Sequence, residues 1–200
     1  KTLDLLKDVE INAYPSETEN LFSKNNLQKV KLKSGRGFVD QIAEKIKLEN
    51  GVEIYLTPNS QTDGQLTQPT DIKSNTAIAY FTDKEIKKIE LNGNVDVYQK
   101  PTDANKSWTK TKANRAIAEI DKELKKLELF DNVNVETTIN SSQPTNIKAA
   151  NAVYLKDEEK FELENNVEIT TINNSQPTNI KAARAIYDKK FDRFELENNV

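Results

Sequence analysis

Two kinds of residue in this chain have the type and spacing to do chemistry: carboxylates placed two apart, and a recurrent arginine. The carboxylate pairs are Glu162/Glu164 and Glu195/Glu197, and the arginines are Arg36, Arg115 and Arg184. Paired carboxylates act as acid and base only inside a cleft that drives their proton affinities apart. Here each glutamate alternates with an apolar residue and the arrangement recurs, which is the pattern of a solvated strand face. An arginine offers a fork of donors for phosphate. Thr76 and Asn151 fill the matching place in other copies of the repeat, so a solvated or cross-strand charge is the expected role. There is no Cys and no His among the 200 residues. That removes thiol nucleophiles, disulfides, the usual zinc ligands and the commonest general base. No catalytic residue, metal ligand or cofactor is expected, and the chain does not read as an enzyme.

The elements that must carry these side chains are set by one recurring phrase, apolar-x-Leu-x-x-x-Val-x-apolar. It occurs as Leu3-Leu5-Val9-Ile11, Ile46-Leu48-Val52-Ile54, Ile89-Leu91-Val95-Val97, Leu127-Leu129-Val133-Val135, Phe161-Leu163-Val167-Ile169 and Phe194-Leu196-Val200. Within each copy these positions share one parity, so an extended chain points them to one side. An internal repeat decides architecture before any other signal. The shared valines are spaced 43, 43, 38, 34 and 33 residues apart, so the unit shortens toward the C-terminus.

A second extended segment precedes each later phrase and is centred on a small residue: Gly37, Ala77, Ala116, Ala152 and Ala185. A short charged turn, such as Asp83-Lys84-Glu85 or Asp121-Lys122-Glu123, joins it to the phrase, and the two read as a β-hairpin. The other connections carry Pro, Asn, Ser and Gln and absorb the length variation, as loops do. Helix propensity favours residues 112–130 as a helix, but the matching windows elsewhere are β-branched and aromatic, and a repeat has one structure. Strands are therefore expected throughout. Ala182 and Ala185 fall on opposite parity, which a β-bulge would reconcile. The expected picture is about eleven antiparallel strands, with phrase strands side by side in one wall and small-residue strands in the other. Such an array leaves two open sheet edges, which either aggregate or serve as joints.

Hydrophobic residues make up 36% and charged residues 30% of the chain, with a mean hydropathy of -0.76. Scarce apolar residues placed strictly by period suit a one-faced sheet. The formal net charge is -3, with 29 basic and 32 acidic residues intermixed. No basic block could neutralise a run of phosphates, so no nucleic acid is expected as a partner. No apolar run approaches the roughly 18 residues that span a membrane. The sequence begins at Lys1 and stops at Val200 inside the phrase, so a piece truncated at both ends is expected.

The strand Ala182-Ala-Arg-Ala185-Ile-Tyr187 and the strand Ile89-Glu-Leu91-Asn-Gly93-Asn94-Val95-Asp-Val97 resemble those of the OstA-like lipopolysaccharide-export family, which includes LptA and LptC. The likeness extends over residues 1–200 as a single repeat array. The family's glycine is matched by Gly93 and, one place on, by Gly51, whereas Asp131, Asn165 and Asn198 replace it elsewhere. The resemblance implies an all-β fold: an open, twisted antiparallel β-jellyroll, a V-shaped trough built from repeated strand pairs. It implies a periplasmic protein that passes lipopolysaccharide or a related lipid from an inner-membrane ABC transporter toward the outer membrane. It implies joining to other OstA-like domains, or to copies of itself, end to end through sheet edges. LptC-type members carry an N-terminal helix in the inner membrane, and LptA-type members a cleaved signal peptide.

On that reading the lipid-binding lining comprises Ile46, Leu48, Val52, Ile54, Ile89, Leu91, Val95, Val97, Leu127, Leu129, Val133, Val135, Phe161, Leu163, Val167 and Ile169. The plainer role for the same stripe is a core between two sheets, above all near the closed side of the trough. Trp108 stands beside the Pro101–Lys106 loop and reads as a strand-end aromatic over the core, or else as a contact for lipid or partner. The alternative function is a structural β-repeat array that binds no lipid, an adhesin-like or solenoid stalk. The drifting step argues against a parallel solenoid, which keeps a fixed period.

Overall fold

The structure is a computed structural model and describes residues 2–13, 27–58, 68–83, 85–101, 107–121, 123–138, 144–173, 176–188 and 193–197. Its strands are β1 (Thr2–Leu5), β2 (Val9–Ala13), β3 (Leu27–Asp40), β4 (Lys45–Pro58), β5 (Thr70–Ser74), β6 (Thr76–Thr82) and β7 (Glu85–Gln99). They continue as β8 (Thr109–Asp121), β9 (Glu123–Thr137), β10 (Thr145–Leu155), β11 (Lys160–Asn173), β12 (Gln176–Asp188) and β13 (Arg193–Glu197). All belong to one 13-stranded sheet, ordered β1-β3-β4-β5-β7-β8-β9-β10-β11-β12-β13, with β2 beside β3 and β6 beside β4 and β7. Every pairing is antiparallel. The all-β antiparallel expectation holds, and so does the rejection of helix over 112–130, which forms β8 and the start of β9. The excess over eleven strands arises because the first phrase is broken into β1 and β2, and one small-residue strand is broken into β5 and β6 at Asn75. Among the described residues no helix is long and apolar enough to cross a membrane. The end of the last phrase, at Val200, lies outside the described residues, as do most of the connecting loops.

One expectation is corrected. Phrase strands do not lie side by side in a wall of their own. Each inner one lies between two small-residue strands: β4 between β3 and β5/β6, β7 between β5/β6 and β8, β9 between β8 and β10, β11 between β10 and β12. Short hairpins put successive segments next to one another, so the two types must alternate across the sheet. The walls are made instead by the two halves of every strand.

A line of bulges divides those halves. In β4, β7, β9 and β11 two consecutive residues have left-handed backbone: Asn50 and Gly51 (φ 63° and 81°), Gly93 and Asn94 (74° and 51°), Asp131 and Asn132 (58° and 57°), Asn165 and Asn166 (61° and 55°). Gly, Asn and Asp are the residues that enter this region at least cost. The replacement of the family's glycine by Asp131 and Asn165 therefore keeps the conformation, although it changes the residue. Each bulge adds one residue to the phrase strand, and the registers shift there in step, between Asn92 and Val95, Ala149 and Asn151, and Glu164 and Val167. This is the bulge that the parity of Ala182 and Ala185 requires. Bulges bend a strand and raise its twist, and aligned across neighbouring strands they crease the whole sheet. Asn75, at the β5/β6 break, ties two creases together: its carbonyl accepts from the Gly51 amide at 3.2 Å, and its amide donates to the Gly93 carbonyl at 2.8 Å.

The crease folds the sheet onto itself. Leu48, Ala77, Leu91, Ala116, Leu129, Ala152, Leu163 and Ala185 on one side share a single buried cluster with Val52, Val95, Ala113, Val133, Ala149, Val167 and Ala182 on the other. Val52 and Val95 are 1% exposed and Val133 2%, which no side chain on one face of an open flat sheet could be. The large residues come from phrase strands and the alanines from the strands between them. Leu91 faces Ala77 and Ala116, and Leu163 faces Ala152 and Ala185. Alternating large and small side chains lets the halves close to native density.

Candidate functional site

Cross-strand register sorts the inward face into rows parallel to the crease. Beside the crease run the buried leucine/alanine and valine/alanine rows. Outside the valine row, Ile11, Leu32, Ile54, Ile72, Val97, Thr111, Val135, Ile147, Ile169 and Ile180 follow one another strand by strand. Outside the leucine row come Val39, Ile46, Ala79, Ile89, Ala118, Leu127, Tyr154, Phe161 and Tyr187. The inward face is thus a groove with a closed floor and two walls.

The expected lining divides between floor and walls. Leu48, Val52, Leu91, Val95, Leu129, Val133, Leu163 and Val167 are buried in the floor, packed on one another and on alanines. Ile46, Ile54, Ile89, Val97, Leu127 and Val135 are partly buried and stand on the walls. Ile169 is buried within its wall row, and Phe161 is 39% exposed. The wall residues keep the apolar surface that the floor residues have lost.

The two sides differ in chemistry. The leucine wall itself becomes aromatic toward the C-terminus: the Phe161 ring stacks on Tyr154 at 4.4 Å and lies 6.4 Å from Tyr187. Burial raises the proton affinity of the Tyr154 hydroxyl. The rim of the valine wall starts as Val30 and Leu56 and then turns polar, through Thr70, Gln99, Thr109 and Thr137 to Thr145. Thr171 and Thr178 pair further along the same rim. Sequence reasoning missed this row. Its signal was present one step beyond the phrase, as Val133-Asn-Val135-Glu-Thr137 and Val167-Glu-Ile169-Thr-Thr171.

The outer face holds the residues that could have done chemistry, and they are spent on one another. The Arg36 guanidinium donates to both carboxylate oxygens of Asp4, at 2.7 and 3.2 Å. Arg184 pairs with Glu162 at 3.1 Å and Glu197 at 3.3 Å, with Glu164 at 3.9 Å. Arg115 lies 5.3 Å over the Phe130 ring. These are the cross-strand charges expected. Glu53 accepts from the Tyr55 hydroxyl at 2.6 Å and, mainly through that bond, holds its pKa up to about 12. Trp108 does not cover the core: it meets Tyr98 edge-on at 6.4 Å, with the Lys110 ammonium over both rings at 5.0 and 5.4 Å. Val97, one residue from Tyr98, faces the groove, so this aromatic pair lies on the opposite side of the sheet. Among the described residues no group of His, Cys, Asp and Glu could hold a metal ion.

Residues 102–200 match the family described as "Lipopolysaccharide-assembly, LptC-related". Among solved structures, LptH of Pseudomonas aeruginosa, described as the LptA homologous periplasmic component of the conserved lipopolysaccharide transport device, is similar with a TM-score of 0.51. The identity is 16%, over 66% of this chain and 84% of that one, so the likeness speaks for the fold. No curated protein matches the sequence. Residues 102–200 thus carry an LptC-related sequence on a creased sheet whose fold is LptA-like, in keeping with the OstA-like lipopolysaccharide-export family that the repeated strand pair resembles.

Proposed function

We propose that the groove carries the acyl chains of lipopolysaccharide, and that the chain works in the periplasm as part of the bridge from an inner-membrane ABC transporter toward the outer membrane. The observation that carries this reading is the partial burial of the wall rows. Ile46, Ile89 and Leu127 on one wall and Ile54, Val97 and Val135 on the other keep apolar surface facing the groove after the floor has closed. Covering about 300 Å² of such surface with acyl chain gives roughly 7 kcal/mol of gross attraction. Immobilisation and ordering offset much of it, leaving an affinity suited to hand-over.

In this reading residues 1–200 form one continuous array, and the sheet edges at β1/β2 and β13 are its joints to neighbouring OstA-like domains or to further copies. An edge strand presents unpaired backbone donors and acceptors that another strand can complete. The closed floor also suits the rival, a structural β-repeat array that binds no lipid. A photo-crosslinking residue at Leu127 or Val135 separates the two. Under ultraviolet light the transport protein forms an adduct with lipopolysaccharide. A folded variant that captures no lipid at either wall position supports the stalk.

A further inference from the structure

We propose that the threonine rim is a saccharide-binding rail, which seats the sugar of an acylated glycolipid at the valine-wall side of the groove while its acyl chains lie inside. The inference rests on the lipid-binding reading and adds the orientation of the lipid and the chemistry that recognises it. It begins with a question of protons. Thr109 Oγ1 and Thr137 Oγ1 are 2.9 Å apart, and Thr137 Oγ1 lies 3.0 Å from the Trp108 carbonyl oxygen. A carbonyl only accepts and a hydroxyl has one proton. Thr137 therefore donates to Trp108, Thr109 donates to Thr137, and among the described residues nothing fills the acceptor sites of the Thr109 oxygen. Further along, Thr145 Oγ1 and Thr171 Oγ1 are 3.0 Å apart. One proton makes that bond and the other hydroxyl keeps its own to give away.

The rail thus offers acceptors at one place and a donor a few strands on, with neighbouring strands spaced about 4.8 Å apart. A phosphate, which only accepts, matches half of this pattern. Sugar hydroxyls, which donate and accept, match all of it. The threonine rim, as traced from Val30 to Thr178, contains no Lys or Arg that would draw a phosphate. The facing wall, from Ile46 to Tyr187, is apolar and aromatic and carries no matching row of threonines.

The experiment compares two probes on the full chain: lipopolysaccharide, and palmitate, which has an acyl chain and no sugar. The variant Thr109→Val/Thr137→Val removes the hydroxyls at nearly unchanged shape. Lipopolysaccharide affinity is expected to fall about tenfold, as loss of one or two hydrogen bonds implies, with palmitate affinity unchanged. Thr109→Ser/Thr137→Ser should restore lipopolysaccharide binding. Should the double valine variant fail to fold, Thr171→Val carries the same comparison in a separate hydroxyl pair. An equal loss for both probes, or no loss for lipopolysaccharide, overturns the rail while leaving the lipid groove standing. A wild-type chain that binds neither probe overturns the groove and the rail together.

Discussion

Leu91 and Val95 stand four residues apart in β7, yet their partners in β8, Ala116 and Ala113, stand three apart. The odd residue is taken up by the left-handed pair Gly93 and Asn94. Repeated strand after strand, this offset turns a single sheet into two facing walls, and the groove exists because of it.

The crease should therefore be sensitive to backbone preference at positions that touch little. Asn132→Val and Asn166→Val force a β-branched residue into left-handed backbone and should each destabilise by about 1–3 kcal/mol. Asn132→Gly should be close to neutral. Urea midpoints measure both, and equal stability of the Val and Gly variants would sink the argument.

Gly51 and Gly93 allow a finer comparison, because both have positive φ. A Cβ on Gly51 would meet nothing within 4 Å, whereas on Gly93 it would approach the Asn75 side chain, with Cγ at 2.9 Å. Both alanine variants bear the backbone strain, and only Gly93→Ala adds a clash. Gly93→Ala should be the less stable of the two in thermal melts. The reverse order would mean that Asn75 does not fix the crease.

Floor and wall should separate stability from binding. Val133→Glu places a carboxylate in the sealed floor and should abolish cooperative folding. Val135→Glu, two residues along on the wall, should leave a folded chain that no longer binds lipopolysaccharide. Circular dichroism melts and lipid co-sedimentation read the two effects. A folded Val133→Glu chain would show that the floor is not closed.

A truncation pair makes the same division in energy. Leu129→Ala opens a cavity in the floor and should cost about 2–5 kcal/mol. Phe161→Ala removes a ring already 39% exposed and should cost far less. Its effect should fall on lipid capture, and denaturant titration beside the crosslinking assay distinguishes the outcomes.

Acid should loosen the N-terminal edge before the centre. The hydrogen bond from Arg36 holds the Asp4 carboxyl below its usual range, and that from Lys31 does the same for Glu10. A carboxylate whose folded pKa is depressed stabilises fully above its unfolded value, near pH 4 for aspartate, and less as pH falls through the lowered value. Protection of the Leu3 and Leu5 amides, taken relative to intrinsic exchange at the same pH, should fall below about pH 4 while β8 and β9 stay protected. Asp4→Asn should flatten the pH dependence at β1. Both pairs are solvent-exposed, so added salt should loosen the same edge.

Much of this was legible in the residues. The phrase named the inward face, and its repetition outweighed the helical propensity of the segment around Ala116 and Ala118, because Ala116 is small to fit between Leu91 and Leu129, and Ala118 between Ile89 and Leu127. What the phrase could not convey was that its middle bends. Asn165-Asn166 reads as an ordinary polar interruption until its conformation is known, so Leu163 and Val167 looked like neighbours on one flat wall. They lie in the floor on opposite sides of the crease, within one buried cluster. Parity alone likewise gave no depth: Leu91 and Ile89 point the same way, but only Ile89 is left for a guest. The threonine rim escaped notice because threonine is common in strands for packing reasons alone, and only register reveals it as a continuous edge.

The crease is not the same material along its length. In β4 and β7 it contains Gly51 and Gly93, and in β9 and β11 it is built from Asp131-Asn132 and Asn165-Asn166 without glycine. Glycine gives way to torsion that a side chain resists. The N-terminal half of the crease is therefore the compliant one and the C-terminal half the stiff one. In the proposed lipid groove that difference would act as a gauge, yielding to a wide cargo at one end and setting the admissible width at the other.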